Sequence, residues 1–120
     1  MVYIFRREKS FPVHPVQTKT KQTNNYMNLK NQHPENKSVS LAPLFKATDG
    51  SVTSMSLAKG GVLPPHVTKM PALLICILGH ATYATESLRI VLRPGDYVEI
   101  EPMVEHWVTG MEESHLLLIK

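Results

Sequence analysis

The sequence predicts an all-β fold for residues 39–120, with antiparallel strands arranged as the double sheet of a jelly-roll barrel. Short runs rich in Val, Ile, Leu, Tyr and Thr alternate with turn signals at near-regular spacing, which is typical of β-sandwiches and barrels. No stretch from Val39 onward keeps a helical period for more than one turn. The length of 120 residues is enough for one domain with a modest core.

Residues 1–38 have a different composition and are predicted to form a basic, disordered extension. They hold seven Lys or Arg against two Glu, a net charge of +5, whereas residues 39–120 hold six against eight, a net charge of −2. The stretch 17–25 consists of Gln, Thr, Lys and Asn, so it has no apolar periodicity to offset the entropy of ordering it. An alternative interpretation is that Met27 is the native start and that residues 1–26 do not belong to the protein.

Nine strands are predicted in the barrel region. They cover residues 39–46, 52–58, 62–68, 72–78, 81–85, 87–92, 97–100, 106–109 and 115–119. Each is bounded by residues that favour turns, namely Asp49-Gly50, Gly60-Gly61, Gly79-His80, Pro94-Gly95 and Gly110. The succession predicts a single antiparallel unit without internal repeats.

The composition also limits the partners. The basic residues are scattered among Thr, Gln and Asn instead of lying on a folded face, so we expect no nucleic-acid partner. The longest apolar run, 72–78, has the length of a strand and is far below the roughly 18 residues of a membrane-spanning helix. The single cysteine, Cys76, excludes an intramolecular disulfide and fits a reducing compartment, so a cytoplasmic location is expected. Its parity with Leu74 predicts an inert thiol in the barrel wall.

Two motifs about forty residues apart carry the functional signal. The first starts at Gly60-Gly61, reaches His66 and Thr68, and closes at Gly79. The second runs from Pro94-Gly95 to His106.

Together these motifs resemble the two signatures of the cupin superfamily, small β-barrels that often hold a metal. The first signature reads glycine, five residues, His-x-His, three or four residues, Glu, about six residues and glycine. His66 keeps this spacing, but Thr68 stands at the second histidine position, and Ala72 or Leu73 stands at the glutamate position. The second signature reads glycine, five residues, Pro-x-Gly, two residues and His. Here Gly95 and His106 keep the spacing, while Glu101 and Met103 replace proline and glycine.

The resemblance implies that His66 and His106 face each other inside the barrel. Because side chains alternate along a strand, Thr68 is expected on the same side as His66, and Val108 deeper than His106, with Trp107 facing outward. The predicted ligand-binding residues are His66, Thr68, Met70 and His106.

His66 and His106 are also the candidate metal ligands. Two of the four usual ligands remain, and the Thr68 hydroxyl stays protonated near neutral pH, so the sequence favours at most a weak site for a divalent metal such as Zn, Ni, Mn or Fe. The competing interpretation is that both histidines are hydrogen-bonded cavity residues.

Two functions therefore remain open at the level of sequence. One is a module that binds a small polar molecule in the barrel. The other is a metal-dependent enzyme of the isomerase, epimerase or dioxygenase type, since proteins of this family include all three. A homodimer is expected in either case, because outward-facing apolar residues such as Trp107 need cover. Of the remaining histidines, His80 is predicted to be exposed, His115 to form a surface pair with Glu112 or Glu113, and His33 to lie in the extension.

Overall fold

A computed structural model describes residues 26–120 of the chain. It contains one short 3₁₀ helix, Leu29–Gln32, followed by nine strands. The strands are β1 (Val39–Lys46), β2 (Ser51–Leu57), β3 (Val62–His66), β4 (Ala72–Leu78), β5 (Ala81–Ala84), β6 (Arg89–Leu92), β7 (Tyr97–Ile100), β8 (His106–Gly110) and β9 (Ser114–Ile119).

The strands form two antiparallel sheets. One has five strands in the order β1-β2-β9-β4-β7, and the other has four in the order β3-β8-β5-β6. Strands from the beginning of the barrel pair with strands from its end, as β2 does with β9 and β3 with β8. The prediction of an all-β double sheet is confirmed.

The core lies between the two sheets and follows the period-two alternation of their strands. Leu57, Leu74 and Leu116 of the five-stranded sheet have no exposed surface, and Val108 of the four-stranded sheet is 1% exposed. Cys76 lies in the same cluster, as its parity predicts. Burial raises the pKa of its thiol, which therefore stays protonated and unreactive.

The prolines that lie within strands of the described barrel are all in strands that form a sheet edge. Pro43 lies in β1, and Pro64 and Pro65 lie in β3. Each of these strands has a neighbour on one side only. Because proline has no N–H to donate, an edge position is where a sheet tolerates it best.

The predicted strand bounds agree with the structure to within one residue, apart from the start of β6, which is Arg89 instead of residue 87, and the end of β3. That strand stops at His66, two residues before the predicted end, and Thr68 lies in a loop. The backbone carbonyl of Thr68 accepts a hydrogen bond from the N–H of Met103 at 2.8 Å, so its chain position is fixed by a contact with the loop before β8.

The predicted extension, residues 1–38, falls largely outside the described residues. Residues 26–38, called here the N-terminal segment, are described and contact the barrel. The side chain of Asn28 caps the 3₁₀ helix by accepting a hydrogen bond from the N–H of Lys30 at 2.9 Å. His33 then bonds through Nδ1 to the Ser40 hydroxyl and through Nε2 to the Ser54 hydroxyl, each at 2.8 Å. No signal in the sequence indicated this contact.

Within residues 26–120, no helix is long and apolar enough to cross a membrane.

We expect His33→Ala to lower the free energy of unfolding by about 1–3 kcal/mol, because it leaves the fully buried Ser54 hydroxyl without this partner. The matched control is His80→Ala, since the His80 side chain is 45% exposed and forms only a surface ion pair, worth about 0–1 kcal/mol. Urea unfolding of both variants measures the difference. Equal losses would show that the N-terminal segment adds no stability through His33.

Candidate functional site

The pairing of β3 with β8 brings His66 and His106 together. Leu63 is opposite Val108, and His66 is opposite His106. Between these two pairs β3 has two residues, Pro64 and Pro65, whereas β8 has one. The extra residue makes a β-bulge in β3. The extra residue restores His66 to the side of the sheet occupied by Leu63 and the buried Val108. The parity predicted for Val108 is confirmed.

The two imidazole rings are in direct contact. Their centroids lie 4.2 Å apart, with an angle of 60° between the planes, in an edge-to-face arrangement. His106 is 1% exposed, whereas His66 is half-buried. His66 is therefore the member of the pair that solvent or a ligand reaches first.

Both rings are oriented by the backbone two residues earlier. Nδ1 of His66 donates to the carbonyl of Pro64 at 2.8 Å, and Nδ1 of His106 donates to the carbonyl of Val104 at 3.0 Å. A carbonyl oxygen only accepts, so Nδ1 carries the proton in each neutral ring. Each Nε2 then keeps its lone pair and acts as a hydrogen-bond acceptor or a metal ligand.

Tyr83 is a third ring in this group, and it was not among the residues predicted for the site. Its centroid lies 5.6 Å from that of His106, and its side chain is 2% exposed. Burial, reinforced by the charge of Glu101, raises the pKa of the Tyr83 hydroxyl, which stays protonated as a donor. The contact arises from the pairing of β5 with β8, in which Tyr83 is opposite Val108, two residues from His106.

A cavity of about 650 Å³ adjoins the histidine pair. Three of the four predicted ligand-binding residues line it, namely His66, Thr68 and Met70, and His106 lies behind His66 without lining it. The Thr68 hydroxyl donates to the carbonyl of Met70 at 3.0 Å, so it is already engaged within its own loop. Met70 is 65% exposed and lies at the rim.

The donor set near this cavity does not fit a tightly held metal. Among the residues that the structure describes, no group of three His, Cys, Asp or Glu side chains could hold an ion. Ala72, one of the two residues at the family's glutamate position, lies 5% exposed in the apolar core. Stable zinc sites use at least three protein ligands, so two imidazoles supply only part of one.

The turn before β8 has Met103 at the position where the second signature has glycine. The N–H of Val104 bonds the carbonyl of Glu101, Pro102 occupies the next position, and Met103 has a φ of +66°. Proline followed by a left-handed residue is the pattern of a type II turn. Met103 thus adopts the conformation for which the signature has glycine, and this turn leads directly into His106.

Two histidines outside the pair differ in burial. His80 binds Glu112 at 2.7 Å, and both side chains are about half exposed, at 45% and 52%. His115 was predicted to form a surface pair with Glu112 or Glu113, and this was wrong: His115 is only 6% exposed. It lies on the outer face of the five-stranded sheet, where His33 of the N-terminal segment covers it at a ring distance of 6.1 Å.

The family model of the cupin domain matches residues 53–120, which is more than half of the chain. The chain belongs to the cupin family. No curated protein sequence matches this cupin.

Solved structures support the fold of the cupin. A cupin superfamily protein from Desulfitobacterium hafniense is 17% identical with a TM-score of 0.70, over 77% of this chain and 84% of that one. A conserved protein with a double-stranded β-helix domain from Klebsiella pneumoniae is 16% identical with a TM-score of 0.70, over 87% and 89%. KdgF from a Halomonas species is 15% identical with a TM-score of 0.67, over 78% and 88%. At these identities the likeness establishes the jelly-roll fold alone.

Met103→Gly is expected to stabilise the cupin by up to about 1 kcal/mol. It removes about 1–2 kcal/mol of backbone strain, because glycine adopts a positive φ without a steric cost. Part of this gain is offset because glycine loses more conformational entropy on folding than methionine does. Little packing is lost, since Met103 is 66% exposed. The opposite change, Gly95→Ala, serves as the control. Gly95 has a φ of +93°, and a Cβ added there would meet no atom within 4 Å, so the alanine reports strain alone and should destabilise. Chemical denaturation measures both, and destabilisation by Met103→Gly would contradict the turn assignment.

The stability of the cupin should fall as the pH drops below about 6.5. Burial, together with the neighbouring His66, lowers the pKa of His106 below its usual 6.5. The hydrogen bond to the Val104 carbonyl raises this pKa but does not cancel the effect of burial. Burial and His115 likewise lower the pKa of His33. The unfolded chain therefore binds more protons than the folded chain below pH 6.5, and stability is lost as the pH falls towards the folded-state values.

The measurement is urea unfolding between pH 8 and pH 5 for wild type, His106→Gln and His33→Gln. Each variant should show a shallower dependence on pH than wild type. A slope unchanged in both variants would mean that other groups carry the pH dependence.

Proposed function

We propose that this cupin binds a small hydroxylated acid in the barrel cavity beside His66. The observation that carries the proposal is the backbone-fixed tautomer of His66, whose Nε2 lone pair is left free for a ligand at the wall of a cavity of about 650 Å³. A hydroxyl group is the natural donor to such an acceptor.

The charge of the cavity supports an anionic group on the ligand. Lys69 and Lys120 line it, and it has no acidic lining residue among those the structure describes. The other walls are apolar, with Met55, Leu63 and Leu118 among them. A mostly apolar pocket with a few polar groups is typical of sites for small molecules.

The buried partners of His66 support its role as a fixed acceptor. His106 contacts it edge-to-face, and Tyr83 lies beside His106. These rings restrict the movement of the His66 ring, so less entropy is lost when a ligand binds. A metal-dependent enzyme needs a third donor that the described residues do not group with the histidines. We therefore do not propose that second function.

The test uses nuclear magnetic resonance of ¹⁵N-histidine-labelled protein. Lactate and malate are the hydroxy acids, and propionate and succinate are the matched acids without a hydroxyl group. We expect at least one hydroxy acid to shift the Nε2 resonance of His66, with at least tenfold weaker binding of its matched acid. Isothermal titration should show that this acid binds at least tenfold more weakly to His66→Gln and equally well to His80→Gln. Shifts that leave His66 unaffected, or no shift with any hydroxy acid, would contradict the proposal.

Zinc is a second probe of whether the histidine nitrogens converge on the cavity. Wild type should bind Zn²⁺ only weakly, and more weakly as the pH falls, because protons compete with the metal for the imidazole nitrogens. Thr68→His adds an imidazole to the same cavity wall and should tighten binding at least tenfold, or about 1.4 kcal/mol.

The control for zinc is Ser87→His, which adds an imidazole to the exposed turn between β5 and β6. Isothermal titration with chelator-treated protein measures all three. Equal affinities for Thr68→His and Ser87→His would show that the added imidazole does not share a site with His66.

The homodimer remains a prediction of the sequence.

A further inference from the structure

A second cavity lies outside the barrel, between the N-terminal segment and the outer face of the five-stranded sheet. Its volume is about 560 Å³. Lys30, His33 and Lys37 of the segment line one side, and Ser56, Lys59 and His115 of the barrel line the other. It shares no lining residue with the barrel cavity beside His66, among the residues that the structure describes.

His115 is the feature of this cavity that calls for a ligand. Its side chain is 94% buried, being 6% exposed, and its Nδ1 has no hydrogen-bond partner among the described residues. Leaving a buried polar nitrogen unpaired costs roughly 1–3 kcal/mol, so such groups are rare without a functional reason. His33 cannot serve as the partner, because both of its ring nitrogens are bonded to serine hydroxyls.

The charged side chains at the cavity favour an anion. Three lysines line it, against Glu35 and Glu113. No ion pair links these lysines to either glutamate within residues 26–120. Within the described residues these ammonium groups are therefore not paired with a carboxylate, and an oxyanion would accept hydrogen bonds both from them and from the Nδ1–H of His115.

A cation is disfavoured at the same place. The three lysines repel it, and the described residues do not assemble three His, Cys, Asp or Glu ligands here. The available chemistry is that of an anion site.

We propose that this cavity binds a small molecule with a phosphate or carboxylate group, and that the bound anion fastens the N-terminal segment to the barrel. The anion would connect the N-terminal segment to the barrel because the lining lysines come from both parts of the chain. Lys30 and Lys37 belong to the segment, whereas Lys59 follows β2 in the barrel, so one anion neutralises charges on both sides of the cavity.

The test compares inorganic phosphate with succinate, which has no hydroxyl group, at constant ionic strength, by isothermal titration and by melting temperature. Four proteins are used: wild type, Lys37→Ala/Lys59→Ala, His115→Gln, and the control Lys46→Ala/Arg89→Ala. The control loses the same charge at two exposed cationic residues that line neither this cavity nor the one beside His66. Binding to phosphate alone identifies a phosphorylated ligand, and binding to succinate alone identifies a carboxylate.

We expect at least one of the two anions to bind wild type and the control alike, and at least tenfold more weakly to Lys37→Ala/Lys59→Ala and to His115→Gln. Hydrogen exchange of residues 28–33 should slow when that anion is added to wild type. Equal binding by all four proteins would reduce the effect to general attraction by surface charge and overturn the proposal. Absence of binding by both anions would overturn it as well.

Discussion

The pairing of β3 with β8 determines where the histidine site lies. Strand alternation assigns each residue to one face, so a shift of one residue moves a side chain to the other face. The bulge at Pro64-Pro65 supplies one extra residue between Leu63 and His66, and both residues consequently face the same way. The site depends on this irregularity as much as on the presence of two histidines.

The backbone also controls the chemistry of the pair. His66 and His106 each use Nδ1 on the carbonyl two residues earlier, so the two rings have the same tautomer and present the same kind of nitrogen. His33 differs, because both of its nitrogens bond to serine hydroxyls and none is left for a ligand. The His33 imidazole thus holds the N-terminal segment on the barrel. The His66 imidazole, in contrast, has an Nε2 that can accept a hydrogen bond from a ligand.

Much of the fold could be predicted from local patterns. The bounds of β1, β4 and β7 match the expected ones because each is a β-prone run between clear turn signals. The contact of His66 with His106 could be anticipated only through the family resemblance, since no local pattern relates residues forty positions apart. The end of β3 was misjudged because the contact that fixes Thr68 comes from Met103, far along the chain.

Contacts without a local signal were missed altogether. Tyr83 joins the histidine pair through strand pairing, and His33 covers His115 across the outer face of a sheet. His115 looked like a surface residue because two glutamates precede it, and its burial depends on a polar segment that composition alone marks as disordered. Burial by a distant segment is a tertiary property and leaves no periodicity in the sequence.

The placement of the prolines has a consequence for self-association. Among the described strands, four have a free edge: β1 and β7 in one sheet, β3 and β6 in the other. Pro43 interrupts the N–H groups along β1, and Pro64 and Pro65 interrupt those along β3, so an added strand could not form a continuous ladder there. The two proline-free edges, β6 and β7, are each four residues long and give few hydrogen bonds. The barrel is therefore protected on all four sides against uncontrolled growth of its sheets into aggregates.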